Sequence, residues 1–543
     1  MLKIENLSVG LPAGADRPYA VRNVSLDIPL GRTLCIVGES GSGKSVIGQT
    51  VAGLLPAALR QAVSGTVSLN GTVLTALDER GWQRVRGCDV GMVFQEPMTA
   101  LNPLMPVGRQ IAEVFKAHGL SCSRAEARDR VLHLLERVGI HDPQRIANSY
   151  SFRISGGQRQ RVMIAMAVAM KPKVLIADEP TTALDVTTQR QVLDLLGDLQ
   201  AETGMALVFV THDFGIVADI ADDVAVMQHG QLVEFGQRDA VLARPRQDYT
   251  RSLLAAVPRL DACRPALAER AEPVVEVRNL SKVFTISDGF LRQKRIAALD
   301  DVSFKVCKGE VVSLVGESGS GKSTIARCLT RLQPVDSGQI RLHGQDLLSL
   351  QGRALKSARR RIQIVFQDPY GSLDPRQRVV DAVAAGPIAH GMSQAQAHAE
   401  AADLLALVGL GRSVLNRYPH EFSGGQRQRI GIARALALKP DLLIADEAVS
   451  ALDVTVQAQV LDLLAQLRDQ LGLTMLFITH DLRVAGKVSD RIIVLRHGKV
   501  VEEGTAHDMF GCPCQDYTRT LLSTIPGLTN AFLPAVAARA VSA

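Results

Sequence analysis

At 543 residues the chain is long enough for three or four compact units, or for two larger ones with subdomains. A hydrophobic share of 46% and a charged share of 21% are those of a folded globular protein and exclude disorder as a starting assumption. The net charge of +6 is spread along the chain with no basic tail, which argues only weakly for a nucleic-acid binder.

No window of about 18 residues is apolar enough to span a membrane, and "MLKIENLSVG" lacks the apolar centre of a signal peptide. The expectation is a cytosolic protein whose link to any membrane runs through a partner. Eight cysteines stand at 35, 88, 122, 263, 307, 328, 512 and 514 with no CxxC pair, a pattern of reduced thiols. Cys512 and Cys514 in "GCPCQDY" supply two metal-type ligands, an incomplete site.

From the N-terminus, "TLCIVG" reads as a buried strand, "GESGSGKS" as a glycine loop and "VIGQTVAGLL" as a helix. "GMVF" is another strand, ending near Gln95. "ISGGQRQR" follows, then the strand "VLIAD" running into "DEPTTALD", and "TTQRQVLDLLGDLQ" with helical periodicity. "ALVFVTH" is a third aliphatic strand ending in His212. Strand, loop and helix in alternation imply an α/β fold with a mostly parallel sheet covered by helices on both faces. Ligands gather beyond the carboxyl ends of such strands, where the reading places all of these motifs.

"RLDACRPALAERAEP" is polar and proline-bearing and reads as a linker over 259–272, dividing domains at 1–258 and 273–543. After it the series returns. "VGESGSGKS" recurs ending at Ser323, "FSGGQRQR" starts at Phe422, "DEAVSALD" follows "LLIAD", and "FITHD" contains His480. "RQDYTRSLLAAVP" is echoed by "CQDYTRTLLSTIP". The chain is a tandem duplication. Its second half carries five extra residues before the glycine loop and lacks ten between that loop and SGGQ, a difference that loops or helix ends absorb. Arg359, Arg360 and Arg361 read as a solvated strand entrance.

In the first loop Gly38, Glu39, Ser40, Gly41, Ser42 and Gly43 let backbone amides turn around phosphate oxygens. Lys44 supplies a point charge for the β and γ phosphates, and Ser45 can bind magnesium. Gly316, Glu317, Ser318, Gly319, Ser320, Gly321, Lys322 and Ser323 repeat the arrangement. The helix after each loop turns its positive end toward the same anion. Acids at strand ends are ordinarily just solvated. Next to a phosphate loop, however, Asp178 and Asp446 can reach its magnesium, and Glu179 and Glu447 can polarise a water. His212 and His480 recur at constant distance from those acids, which favours a place at the γ phosphate over a surface role. Gln95 and Gln367 could equally be turn residues before proline.

Together the glycine loop, strand-end glutamine, SGGQ, Asp-Glu and Thr-His-Asp resemble the nucleotide-binding domains of ABC transporters, and the resemblance covers almost the whole chain twice. It implies two tandem P-loop NTPase domains, each with an inserted helical subdomain, that bind ATP and Mg2+. It implies that Ser155, Gly156, Gly157 and Gln158 complete the ATP site of Lys322, while Ser423, Gly424, Gly425 and Gln426 complete that of Lys44. It adds Thr324 to the nucleotide contacts, and Gln95 and Gln367 to the magnesium ligands beside Ser45, Asp178, Ser323 and Asp446. The aromatic that stacks on adenine is open between a packing role and a binding role for Tyr19 and Phe284.

"FQEPMTALNP", "FQDPYGSLDP" and the "QDYTRxLL" tails are similar to the ATPases of dipeptide and oligopeptide importers, here with both ATPase subunits joined in one chain. The likeness implies a peripheral protein on the cytoplasmic face of the inner membrane. Its partners would be two membrane permease subunits, touched by the segments after Gln95 and Gln367, and a periplasmic or lipid-anchored binding protein. The cargo would be short peptides or related solutes such as glutathione or a peptide antibiotic, with nickel as an alternative. Export is a further rival. Soluble ribosome or DNA ATPases are a rival class, but their long charged linker or paired-cysteine modules are missing. Ile154 departs from the family's leucine, and "NSYSF" stands where the second half has "YPHEF". Only Cys263 follows the first "YTRxLL" closely, so the iron-sulfur cluster of some relatives is not expected.

Overall fold

The computed structural model describes residues 1–120, 123–182, 184–258, 272–287, 293–368, 370–450 and 452–527. They form two compact units, the first built on Met1–Leu184 and Thr188–Val257, the second on Pro258–Ile525. Of the expected linker only Glu272 is among the described residues; Cys122 and Cys263 lie outside them.

In chain order the first unit has strands β1 (Leu2–Gly10), β2 (Tyr19–Ile28), β3 (Thr33–Val37), β4 (Val63–Leu69), β5 (Thr72–Val73), β6 (Val90–Val93), β7 (Val174–Asp178), β8 (Ala206–Val210), β9 (Asp223–Gln228) and β10 (Gln231–Gln237). β3, β7 and β8 are buried at every residue, as strands covered on both faces must be, and their aliphatic runs suit that place. They lie in a six-stranded sheet of order β10-β9-β3-β8-β7-β6, parallel except for the edge strand β10. A separate antiparallel sheet, β2-β1-β4-β5, was not anticipated. Leu2, Ile4, Leu7 and Val9 of β1 are buried within a strand of mixed polarity, the mark of a sheet with one wet face.

Helix α1 (Lys44–Val51) lies between the two sheets: Ile47 and Val51 share one core with Leu2, Ile4 and Val67 on one side and Ile36, Ile176 and Val208 on the other. Between β6 and β7 the chain makes the helical insertion, chiefly α2 (Val107–Ala117), α3 (Arg124–Arg137) and α4 (Gly156–Val168). α5 (Val186–Thr203), α6 (Phe214–Ile220) and α7 (Asp248–Ala256) complete the unit.

The second unit repeats the plan with β11 (Pro273–Ser287), β12 (Gln293–Cys307), β13 (Val311–Val315), β14 (Ser337–Leu342), β15 (Gln345–Asp346), β16 (Ile362–Val365), β17 (Leu442–Asp446), β18 (Thr474–Thr479), β19 (Arg491–Arg496) and β20 (Lys499–Thr505). Its sheet orders are β12-β11-β14-β15 and β16-β17-β18-β13-β19-β20. Its helices include α8 (Lys322–Leu329), α9 (Gly352–Arg361), α10 (Val379–Ala389), α11 (Gln394–Leu407), α12 (Gly424–Leu436), α13 (Val454–Leu471), α14 (Leu482–Val488) and α15 (Asp516–Ser523). The one-turn helix Ala57–Arg60 holds part of the extra length of the first unit.

One local reading is corrected. Arg359–Arg361 lead into β16 as expected, but as the last turn of α9 and not as extended chain. There Arg359 donates to the Thr330 and Arg331 carbonyls and Arg361 pairs with Asp441, so cations meet the carbonyls and the acid near a helix C-terminus.

Candidate functional site

The glycine loop of the first unit leaves β3 and enters α1. Gly38 has φ 147°, and a Cβ there would come within 2.2 Å of the Met227 carbonyl oxygen; at Gly43, φ 100°, it would come within 2.5 Å of the Ala20 oxygen. Backbone therefore packs on backbone at both ends of the loop, and only glycine fits. Gly316 and Gly321 stand 2.2 Å and 2.6 Å, by the same measure, from the Leu495 and Ala298 oxygens. Glu39 and Glu317 are half-buried, Ser40, Gly41, Ser318 and Gly319 line the open rim, and Ser42 and Ser320 are buried beneath it. Thr324 is half-buried in the first turn of α8.

Lys44 is only 6% exposed and donates from Nζ to the carbonyls of Gly38 at 2.8 Å and Glu39 at 2.9 Å. Lys322 does the same to Gly316 and Glu317 at 2.7 and 2.9 Å. Ser45 Oγ donates to Asp178 Oδ1 at 3.0 Å, and Ser323 Oγ to Asp446 Oδ1 at 3.0 Å. These pairs unite the loop with the end of the neighbouring buried strand.

Glu179 and Glu447 sit one residue past β7 and β17 with φ of 44° and 47°, left-handed values that a glutamate rarely adopts. Their N–H groups donate to the Val210 and Ile478 carbonyls at 2.9 Å, which fixes that backbone. Strain kept at the same position of both units is the kind that collects at working sites. Each carboxylate meets the other recurring side chains. Gln95 Nε2 donates to Glu179 at 2.9 Å and Gln367 Nε2 to Glu447 at 2.7 Å, while His212 and His480 bring Nδ1 to 3.4 and 3.6 Å. Thr182 adds a hydroxyl to Glu179 at 3.0 Å; in the second unit Ser450 turns its hydroxyl to the Glu447 carbonyl instead.

Burial raises the pKa of Glu179, but the hydrogen bond and charge of His212, with Lys44 and Thr182, overcome it and bring the carboxyl down to about 2. Glu447 is lowered in the same way, against burial, by His480 and Lys322. Burial also works against His212, whose pKa is nevertheless raised by Glu179 and Asp213. Asp178 and Asp446 go up: burial dominates, the neighbouring glutamate adds to it, and the Ser45 or Ser323 hydroxyl offsets only part. The glutamates are thus kept ionised, while the aspartates are buried acids that a cation would hold in the charged form.

The donor set fits a hard divalent cation. A serine hydroxyl and a carboxylate are paired at a loop of inward amides, with the Ser42 hydroxyl buried and unpartnered beneath. Magnesium there would neutralise developing phosphate charge, with Ser45 and Asp178, or Ser323 and Asp446, as the protein ligands nearest the loop. Gln95 and Gln367 are tied to the glutamates in this structure, one residue further from those pairs.

SGGQ does not stand at a strand end, contrary to the expectation for all the motifs. It opens α4 and α12, reached through one-turn helices at Ser151–Arg153 and Pro419–Glu421. Ser155 and Gln158 form a capping box, with Gln158 N–H on Ser155 Oγ at 3.2 Å and Ser155 N–H on Gln158 Oε1 at 3.1 Å; Ser423 and Gln426 repeat it at 3.4 and 3.1 Å. A side chain at Gly157 or Gly425 would strike Thr188 or Val456, at 2.7 and 2.1 Å. At Gly156 it would meet nothing within 4 Å among the described residues.

Tyr19 is 40% exposed at the start of β2, and Phe284 is half-buried in β11 opposite Ile296, so neither belongs to the core. Cys512 and Cys514 are exposed free thiols, and no group of three or more His, Cys, Asp or Glu gathers for a metal among the described residues. Two contacts escaped the sequence. Arg17 donates to the Gly41 carbonyl on the loop rim, and Tyr249 reaches Glu39 from the tail of the unit. Arg17 had no signal. Tyr249 did, since "QDYTR" is repeated.

The family described as ABC transporter matches residues 21–182 and 299–450, and the oligopeptide/dipeptide transporter C-terminal region matches 233–284 and 501–537. The chain is 47% identical over 528 residues to the "Peptidoglycan transport ATP-binding protein YejF" of Agrobacterium fabrum, covering 96% of each. It is 45% identical over 558 residues to the "Glutathione import ATP-binding protein GsiA" of Pectobacterium atrosepticum and to that of Escherichia coli, covering 97% of this chain and 89% of theirs. Two matched cassettes, each with its loop, acids and transporter-type tail in place, give the conclusion that the chain belongs to the ABC transporter family, as an ATPase with two cassettes in one polypeptide.

Proposed function

We propose that the chain powers an ABC importer for di- and oligopeptides or related solutes such as glutathione or peptidoglycan fragments, using ATP and Mg2+ at two sites. The observation that carries the ATPase chemistry is the same constellation built twice: Lys, Ser and Asp at the loop, with a strained, ionised Glu held by Gln and His. Glu179 and Glu447 orient and deprotonate the attacking water, His212 and His480 position them and face the γ phosphate, and Lys44 and Lys322 leave the loop carbonyls for phosphate oxygens. The names of the relatives support import and the solute class.

Ser155 to Gln158 would complete the ATP site of Lys322, and Ser423 to Gln426 that of Lys44. Two features support this. α4 and α12 carry no acid in their first turns, leaving the positive helix end for an anion, and Gly156 has open space that packing does not explain. Tyr19 and Phe284 are the aromatics offered to adenine. The domain limits 1–258 and 273–543, with a linker at 259–272, remain our division of the chain.

No helix among the described residues is long and apolar enough to cross a membrane. Separate permeases would form the channel, with a binding protein to deliver solute. Exposed Phe94, Met98 and Leu104 around Gln95, and Phe366 and Tyr370 around Gln367, suit contact with permease helices. Beside Gln367 a cleft of about 670 Å³ is walled by Ile364, Phe366, Ala385 and Leu438 and suits the apolar face of a short helix. On this reading the protein works peripherally on the cytoplasmic face of the inner membrane.

The test is uptake by proteoliposomes in which this chain is reconstituted with candidate permeases from its own genome. ATP-dependent entry of a labelled peptide or glutathione, abolished by the Glu179→Gln, Glu447→Gln double substitution, is expected. Hydrolysis should fall by about 10²–10⁴-fold in that variant while ATP still binds. Nickel entry without peptide entry would overturn the solute class, and unimpaired single-turnover hydrolysis would overturn the role of the glutamates.

A further inference from the structure

The repeated "QDYTR" segment has no part in the chemistry above, yet in both units it brings a phenol to the back of the glycine loop. In the first unit α7 presents Tyr249, whose oxygen accepts from the Glu39 N–H at 3.3 Å. That N–H shares one planar trans peptide with the Gly38 carbonyl, so the two groups point in opposite directions. The carbonyl in turn accepts from Lys44 Nζ at 2.8 Å. Phenol and ammonium therefore hold opposite ends of a single peptide group. Gly38, without a side chain and at φ 147°, gives that peptide freedom to rotate, and rotation would turn the carbonyl away from Lys44.

The tyrosine is itself anchored. Glu234 of β10 accepts from the Arg246 and Gln247 N–H groups at 2.8 and 3.3 Å and from Thr250 Oγ1 at 2.5 Å, clasping the chain on both sides of Tyr249. Glu502 of β20 accepts likewise from Cys514 and Gln515 at 2.6 and 3.1 Å. From there Tyr517 faces Glu317, the counterpart of Glu39, with the Arg496 guanidinium 4.6 Å from its ring centre. Its buried oxygen lies against the Glu317 backbone without a hydrogen bond of regular geometry, and burial together with the Glu317 carboxylate pushes its pKa up to about 12. Lys322 holds the Gly316 carbonyl at 2.7 Å, as Lys44 holds that of Gly38.

We propose that Tyr249 is a positioning residue of the first phosphate loop: its phenol fixes the first peptide of that loop, so that the loop amides stay pre-set for the triphosphate when the lysine leaves the carbonyl, whereas Tyr517 meets the second loop by packing alone. The proposal rests on the reading of these loops as ATP sites. It gives the tail of the first cassette a task, tying the loop to the edge strand through the clasp of Glu234 and Tyr249.

The experiment measures MgATP binding calorimetrically on the full-length chain, one loop at a time. In a Lys322→Ala background, Tyr249→Phe is expected to weaken binding about three- to tenfold, the range of one neutral hydrogen bond. KM for ATP should rise in proportion while kcat at saturation stays within about twofold, because the phenol acts on the loop and not on the reacting atoms. Tyr517→Phe in a Lys44→Ala background should change affinity by less than about twofold, because the Tyr517 oxygen has no hydrogen bond of regular geometry to lose. The Phe variants keep the ring and hence its packing, so their thermal midpoints should match the parent; Tyr249→Leu, which loses the ring, shows what packing alone is worth. Parental affinity in the Tyr249→Phe variant would overturn the proposal. ATP binding that survives Lys44→Ala together with Lys322→Ala would instead overturn the reading of the loops themselves, so the two failures are distinguishable.

Discussion

Glu179 carries three separate marks of a working residue: a left-handed backbone, a carboxylate held ionised at about 2 despite burial, and partners contributed by Gln95 and His212. Its coupling to His212 makes a titration prediction. His212 is raised above its ordinary 6.5, so its contribution to stability is fully present below that pH and is lost as pH rises through the raised value. Glu179 is depressed from 4.5, so its contribution is present above 4.5 and is lost only as pH falls through about 2. Glu179→Gln removes the carboxylate but leaves the burial. The His212 pKa should then fall to 6.5 or below, read from ring-proton NMR; an unchanged value would show that the pair does not interact.

The elements that matter are helix N-termini as much as strand ends. Loss of the Ser155 cap should cost the first unit about 1 kcal/mol, measured by denaturant unfolding of Ser155→Ala. A sharper test of the composite sites uses the Glu179→Gln chain, in which only the site of Lys322 and Glu447 still hydrolyses ATP. There Ser155→Ala should remove most of the remaining activity and Ser423→Ala should leave most of it. The reverse result would mean that each SGGQ serves its own loop. Much of this layout was legible because parallel strands buried on both faces must be aliphatic and must end in the polar groups that serve the ligand, as "VLIAD" and "ALVFVTH" do. The antiparallel sheet was not legible. β1 and β2 mix buried and exposed residues with shifted register, so their periodicity is weak, and β1 takes its second partner, β4, from far along the chain.

For the whole molecule, two cassettes in one chain keep each at high effective concentration for the other. Separate halves, cut within 259–272, should hydrolyse ATP slowly when diluted and recover as they are mixed at rising concentration. Rates in the separated halves equal to that of the intact chain at every concentration would remove the reason for two cassettes to work as a pair. The same experiment, run with Tyr249→Phe in one half, would show whether the tail clasp acts within its own cassette.

Local chemistry written in short contiguous motifs was readable without coordinates: the glycine loop, Asp178 with Glu179, SGGQ as a unit, and the duplication that made each credible. Such motifs are defined by residue type at fixed spacing, because backbone geometry over a few residues is set locally. Three things depended on the folded chain. Glu179 is held in a left-handed conformation by Val210, Arg359 closes a helix on the Thr330 carbonyl just before β16, and Tyr249 lies against Glu39 across 210 residues. Contacts of that kind join segments whose separation in sequence bears no relation to their distance in space, so nothing in the order of residues encodes them until the sheet has brought its strand ends together.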